Sequence, residues 1–215
     1  IIVKADWDEN ADLTTLPTVT ATYADAMTDI QSFTSKDDDS TWYYSFILPA
    51  GSASDGLITF TSSGSDSAQN SDFTYVTNNV FLVDNTAPVI ADTLVSPGED
   101  TFVKEGGMQL GYYIDEATGT LDSANVLFKQ VSGPGTDFNV DLVATELDSG
   151  THIAADITNQ DSITGDLVDS TVYHLVFASF DMAGNVGSDT VKNVTYDTSA
   201  PYGSVSFDRQ YASDG

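Results

Sequence analysis

Val83-Asp84-Asn85-Thr86-Ala87-Pro88 returns as Tyr196-Asp197-Thr198-Ser199-Ala200-Pro201, and 201 minus 88 gives a period of 113. A period of that length marks a repeated domain rather than a repeated short motif. A second echo precedes each copy: Asp66-Ser67-Ala68-Gln69-Asn70 against Asp181-Met182-Ala183-Gly184-Asn185, offset by 115. A third, Tyr23-Ala24-Asp25-Ala26 against Tyr113-Ile114-Asp115-Glu116, is offset by 90. The second unit therefore carries about 25 extra residues (115 minus 90), assigned to the stretch 136–161, which has no earlier counterpart. The expected units are 1–87, 88–200 and the first strand of a third over 201–215, where Val205 and Phe207 alternate with small residues.

Between these landmarks the patterning has period two. Trp42, Tyr44, Phe46 and Leu48 alternate with smaller or polar residues, as do Tyr173, Leu175 and Phe177. This is the signature of half-buried strands, whose side chains point alternately to two faces. Gly, Asp, Asn and Ser fill the gaps at 51–56, 106–107 and 132–135, as turns require. The fold class expected is all-β, with each unit a sandwich.

The formal net charge of -27 arises from 33 acidic and six basic residues, and 28 of the acids are Asp. Such a surface repels phosphate backbones, which excludes nucleic acid as a partner. Aspartate serves turns and hard cations well, so the bias points to carboxylate-rich loops, to a salty habitat, or to both. Cysteine is absent, so disulfides and thiolate metal sites are excluded. No apolar run approaches the roughly 20 residues of a membrane-spanning helix. With no charged leader and no apolar signal core, Ile1 reads as the first residue after an internal linker, hence a fragment of a longer chain.

A strand ending in Asp-x-Ala-Gly-Asn, a further strand, then Asp-x-Thr-Ala-Pro and a new domain resembles the tandem immunoglobulin-like repeats of prokaryotic cell-surface proteins, the large adhesins and S-layer proteins. Gln69 departs from that pattern, standing where Gly is usual. The linker Asp84-Asn85-Thr86-Ala87-Pro88 also resembles the Asp-Asn-Ala-Pro calcium linkers of cadherins. The resemblance implies immunoglobulin-like sandwiches arranged end to end, an extracellular, cell-surface location, and calcium at the junctions. In such a sandwich the chain entry and two loops meet at one end. For the second unit these are Asp84 with Asn85, Asp115 with Glu116, and Asp181 with Asn185. The equivalent set in the first unit is Asp25, Asp66 and Asn70, and Asp197 repeats the linker ligand. Asp84, Asp115 and Asp181 are expected to reach one common point. Asp66 and Asp181 have a second reading as caps of their own turns.

Catalytic signatures are missing. His152 and His174 lie isolated in apparent strands, and no nucleophile elbow, zinc-binding helix or phosphate loop occurs, so no enzyme is expected. Asp37-Asp38-Asp39 and the group Asp6, Asp8, Glu9 and Asp12 read as solvated loop charges, and Asn193-Val194-Thr195 as a chance sequon. The function expected is a structural segment of an S-layer protein or adhesin, a calcium-stiffened spacer or lattice contacting neighbouring copies or cell-surface components. The alternative is a carbohydrate- or ligand-binding module using exposed aromatics such as Trp7 and Tyr202.

Overall fold

The computed structural model describes all residues except 8–15, 67, 92–96, 154–162, 164–165 and 207–215, and gives backbone alone for 72–80. The chain is all-β. The first seven strands are β1 (Ile2–Asp6), β2 (Thr18–Thr22), β3 (Thr28–Ser32), β4 (Ser35–Lys36), β5 (Thr41–Ser45), β6 (Gly56–Ser65) and β7 (Ser71–Val83). They form two antiparallel sheets, β1-β5-β4 and β3-β2-β6-β7. The inward positions of both sheets share one core: Trp42 and Tyr44 from one, Val19, Ala21, Ile58 and Phe60 from the other. Trp42 and Tyr44 are wholly buried, as the alternation requires. Burial pushes the Tyr44 hydroxyl up to about 12, and it donates to the Pro17 carbonyl at 3.0 Å, so the ring's polar end is satisfied.

From Val89 onward come β8 (Val89–Ala91), β9 (Phe102–Val103), β10 (Tyr112–Asp115), β11 (Leu121–Ser132), β12 (Phe138–Leu142), β13 (Gly150–His152), β14 (Thr171–Asp181) and β15 (Val186–Tyr196). Their sheets run β13-β10-β8 and β12-β11-β14-β15-β9, with β9 parallel to β15. Ile90, Tyr112 and Ile114 face Val126, Phe128, Tyr173, Leu175 and Phe177 in a second core. Phe128 stacks on Phe138 with centroids 4.5 Å apart, and Tyr173 meets both rings edge-on. No described strand of 2–83 pairs with one of 89–196, and each core draws on one side of Pro88 alone.

Among the described residues of 136–161, the two strands do not pair with each other as the expected hairpin or strand pair requires. β12 pairs with β11 in the larger sheet, whereas β13 pairs with β10 in the smaller one. A 3-10 turn, Ala144–Leu147, carries the chain across, anchored where buried Glu146 accepts the Val143 N–H at 2.6 Å. Val140 and Leu142 are buried as expected, while Ile153 is exposed; Ile157 lies outside the described residues. Among the described residues helical backbone is otherwise confined to the 3-10 turn Ser52–Ser54 and the positions Ile163 and Asp166. Residues 201–206 pair with no described strand, and Phe207 lies outside the described residues.

Candidate metal centre

β7 ends at Val83, and β8 starts at Val89; the five residues between them bring Asp84 against the second group of sheets. There Asp84, Glu116 and Asp181 each offer a carboxylate oxygen, and these oxygens lie within 4.8 Å of one another. That is the span of two ligands on opposite sides of a calcium ion, at about 2.4 Å each.

Each acid is held by its own turn. Glu116, just past β10, accepts the Thr118 and Gly119 N–H groups on Oε1 at 2.9 and 3.1 Å. Asp181, at the end of β14 and only 3% exposed, accepts the Asn185 N–H at 2.8 Å and the Asn185 side-chain amide at 2.9 Å. Asp84 accepts the Thr86 N–H on Oδ1 at 3.1 Å. The other oxygens, Asp84 Oδ2 and Glu116 Oε2, are buried and have no hydrogen-bond partner. An unpaired buried carboxylate oxygen is costly, and two together call for a cation. None of the ion pairs among the described residues, Lys4–Asp6 and Lys36–Asp39, reaches this group.

The electrostatics agree. Burial pushes the Asp84 carboxyl up, the Thr86 bond opposes it, and repulsion from Glu116, Asp181 and Asp55 adds to the rise. Asp181 behaves oppositely: burial works against ionisation, but the Asn185 side chain and the backbone N–H groups of its turn outweigh it and hold the carboxyl low. Hard oxygen donors without sulfur or nitrogen fit calcium, and carbonyls or water complete its six to eight ligands.

Two glycines make room for the linker. A β-carbon on Gly119 would stand inside 3.0 Å of Asp84 Oδ2, and one on Gly187 inside 3.0 Å of the Pro88 carbonyl carbon and oxygen. The Asn185 amide also donates to the Asp84 carbonyl at 3.1 Å. Neither glycine stood out in the sequence, although Gly187 lies two residues beyond Asn185.

The remaining expected ligands are elsewhere. Asp115 is replaced by its neighbour Glu116: residues 113 and 115 share one face of β10, and Asp115 raises the Tyr113 hydroxyl's pKa by its charge, with burial and a hydrogen bond contributing less. Asn85 turns toward the first unit, where its amide donates to Asp55 at 2.8 Å and to the Gly51 carbonyl at 3.4 Å. Asn185 serves as a donor that fastens Asp181 and the linker. The set Asp25, Asp66 and Asn70 does not assemble. Asp25 accepts the Met27 N–H and the Ser54 hydroxyl beside the start of β6, while Asp66 follows the end of that ten-residue strand, about 30 Å away. Asp66 closes its own turn, accepting Ala68 and Asn70 N–H groups at 2.8 Å and the Asn70 amide at 2.7 Å. Asp197 accepts the Ser199 N–H at 3.0 Å.

Two acids missed in the sequence hold the linkers. Asp55 accepts the Asn85 N–H at 2.8 Å and the Thr86 hydroxyl; Asp169 accepts the Thr198 N–H at 2.6 Å and the Ser199 hydroxyl at 2.8 Å. The available signal was the offset of 114 between Asp55-Gly56 and Asp169-Ser170, one more than the linker period. The Thr198 N–H, then the Ser199 hydroxyl, lowers the Asp169 carboxyl to about 2. A lowered folded pKa gives stability that is present above the unfolded value, about 3.9, and lost as pH falls through the folded one. The Thr198 amide resonance should therefore titrate with a midpoint near pH 2; a midpoint at the ordinary carboxylate value would show that Asp169 does not hold it.

Most of the other features singled out in the sequence make local contacts. His152 stacks on Tyr112 at 4.9 Å and bonds to the Asp148 carbonyl, and His174 accepts the Asn193 N–H. Asn193, at positive φ, donates its amide to Asp100 at 2.8 Å. Trp7 packs against the first core beside Gly64, while Tyr202 is 95% exposed. In the acidic loop Asp38 caps Ser40 and Thr41, Asp37 accepts the Tyr43 hydroxyl, and Asp39 pairs with Lys36. Asp6 accepts the Thr41 hydroxyl, and Asp8, Glu9 and Asp12 lie outside the described residues.

No protein-family model matches the chain, and no curated protein does. Among solved structures, the chain is similar to a 1.5-MDa bacterial ice-binding adhesin, studied for retention on the host cell surface, with 15% identity and a TM-score of 0.39 over 93% of this chain. A second, a Ca2+-stabilized adhesin with which an Antarctic bacterium reaches out and binds ice, aligns over 94% of this chain with 16% identity and a TM-score of 0.37. The chain spans 58% and 45% of those two chains.

Proposed function

We propose that this chain is a segment of a large extracellular adhesin, in which immunoglobulin-like sandwiches, residues 1–87 and 88–200 with a third from 201, are joined end to end by calcium-stiffened junctions. The observation that carries this reading is the meeting of Asp84 from the linker with Glu116 and Asp181 from the second unit, two of them with buried, unpartnered oxygens. The repeated linker and Asp-x-Ala-Gly-Asn turn support the architecture, and the calcium named for one structural neighbour is in keeping with the donor set. The work of such a segment is mechanical: it bears no reaction, and it holds a distant binding domain away from the cell. No helix among the described residues is long and apolar enough to cross a membrane. Tiling into a surface lattice is the related reading, and it needs lateral contacts between copies.

Calorimetric titration of the chelator-stripped chain, paired with small-angle scattering, tests the proposal. One calcium per 84/116/181 site and a longer, narrower distance distribution with calcium are expected. Absence of binding, or an unchanged distribution, overturns the stiffened-junction reading.

A further inference from the structure

We propose that Asp55 and Asp169 are linker latches: each ties the linker that leaves its own unit, fixing that linker's direction without metal and posing the aspartate at its head, Asp84 or Asp197, as a ligand. The first clause stands on geometry alone; the word ligand rests on the calcium reading above.

The two junctions repeat the same three bonds. At the first, the Asn85 N–H donates to Asp55 Oδ1 at 2.8 Å, the Thr86 hydroxyl to Asp55 Oδ2, and the Thr86 N–H to Asp84 Oδ1 at 3.1 Å. At the second, the Thr198 N–H donates to Asp169 Oδ1 at 2.6 Å, the Ser199 hydroxyl to Asp169 Oδ2 at 2.8 Å, and the Ser199 N–H to Asp197 Oδ1 at 3.0 Å. Asn has become Thr and Thr has become Ser, yet each donor is kept, because two of the three bonds use backbone N–H groups and the third needs only a hydroxyl. The residue after each latch has positive φ, Gly56 at 131° where β6 begins and Ser170 at 60° in the turn before β14. A β-carbon on Gly56 would come within 2.7 Å of Ala24. Glycine adopts that φ without strain and leaves room for Ala24, so the chain can turn into β6 directly after Asp55.

The latch decides where the junction can bend. Asn85 and Thr86 belong to the first unit through Asp55. Val89 belongs to the second, being paired with Asp115, and the Pro88 carbonyl lies over Gly187. Proline fixes its own φ, and the residue before it is held to extended backbone. Bending of the junction is therefore confined to Ala87, within the extended range that Pro88 leaves it. Calcium acts on the other side of the latch: it draws the free oxygen of Asp84 toward Glu116 and Asp181, while Oδ1 is already oriented by Thr86. Asp55 is thus a positioning residue, and withdrawal of calcium leaves the linker fastened to the preceding unit by Asp55 and to the following one only by the Asn185–Asp84 bond and the β8 pairing.

The test uses the whole chain with Asp55→Ala and Asp55→Asn, reading backbone amide exchange by NMR in chelator and calcium affinity by titration. In the wild-type chain without calcium, the Asn85 and Thr86 amides are expected to stay protected. D55A should speed their exchange about tenfold or more, as loss of hydrogen bonds to a charged acceptor implies, with Ile58 and Val83 amides unchanged as the report that β6 and β7 remain folded. D55N, whose amide oxygen still accepts from Asn85, should retain most of the protection and most of the calcium affinity, whereas D55A should lose about tenfold in affinity, the equivalent of 1.4 kcal/mol. Unprotected amides in the calcium-free wild type, or equal exchange in D55A and wild type, overturn the latch. An affinity loss equal in D55N and D55A assigns the effect to charge and overturns the positioning role. If the wild-type chain binds no calcium, the junction reading falls, and the exchange arm still decides the latch.

Discussion

Gly187→Ala should be among the most damaging single substitutions in the second unit, with a loss of about 3 kcal/mol or more. The added methyl would enter the space held by the carbonyl of Pro88, at less than 3.0 Å from both its carbon and its oxygen. Neither partner can yield cheaply. Gly187 sits in β15, paired with Ser179 of β14, and Pro88 runs directly into β8, where Val89 pairs with Asp115. Relief requires lifting β8 from β10 or opening the β14–β15 ladder, and the first route also draws Asp84 away from Glu116 and Asp181. For a unit of about 110 residues such a loss lowers Tm by roughly 10–20 °C. Thermal unfolding of the variant beside the wild-type chain checks this, and the core around Trp42 and Tyr44, which contains no residue beyond Val83, should melt as before. An unshifted second transition would mean that the Pro88 carbonyl does not pass over Gly187.

Calcium should raise the stability of the second unit by about 2.7 kcal/mol when the free ion stands at a hundred times its dissociation constant. Without a cation, three carboxylates converge and Asp84 resists ionisation, chiefly through burial. A raised folded pKa stabilises the folded state below the unfolded value and loses that contribution as pH rises through the folded one. Asp84 therefore stabilises the calcium-free junction less at neutral pH than below the carboxylate range. Asp181 and Asp55, where burial is outweighed by hydrogen bonds that hold the carboxyls low, contribute with the opposite sign. A divalent cation turns the repulsion at Asp84 into shared attraction. Gly119→Ala should abolish most of this calcium increment, since its methyl would displace Asp84 Oδ2, while leaving the chelated protein close to wild type. Melting curves with calcium and with chelator separate the two effects. A calcium increment of equal size in wild type and G119A would exclude Asp84 as a ligand.

Much of the scaffold was legible in the chain. Period-two placement of Tyr173, Leu175 and Phe177 put all three in one core because a strand's pleat sends every second side chain to one face, whatever lies beyond it. The repeated Asp-x-x-Ala-Pro linker located the break between the two cores for a similarly local reason: proline and its neighbour restrict the backbone by themselves. Within the stretch assigned to the extra residues, the pairing was misjudged. Alternation says which residues face inward, and not which edge strand they meet, so β12 and β13 could be told from loops without being told apart by sheet.

The site was legible only in part. Asp84 and Asp181 could be named because a linker and a turn at one end of a sandwich must converge. The choice between Asp115 and Glu116 depended on strand parity at the last residue of β10, where a shift of one position exchanges the two faces. The supposed equivalents Asp25 and Asp66 matched by motif, yet a ten-residue strand separates them, a distance that sequence offsets do not contain. Asp55, Asp169, Gly119 and Gly187 matter through contacts across 29 to 99 residues, at positions with little local signature. The sequence by itself therefore determined the strands, the faces they bury and the place where one core gives way to the next, since these follow from local backbone and side-chain chemistry. Tertiary structure alone decided which carboxylates share a point, which acid holds each linker and which glycines leave room for it, because those are distances between segments that only folding brings together.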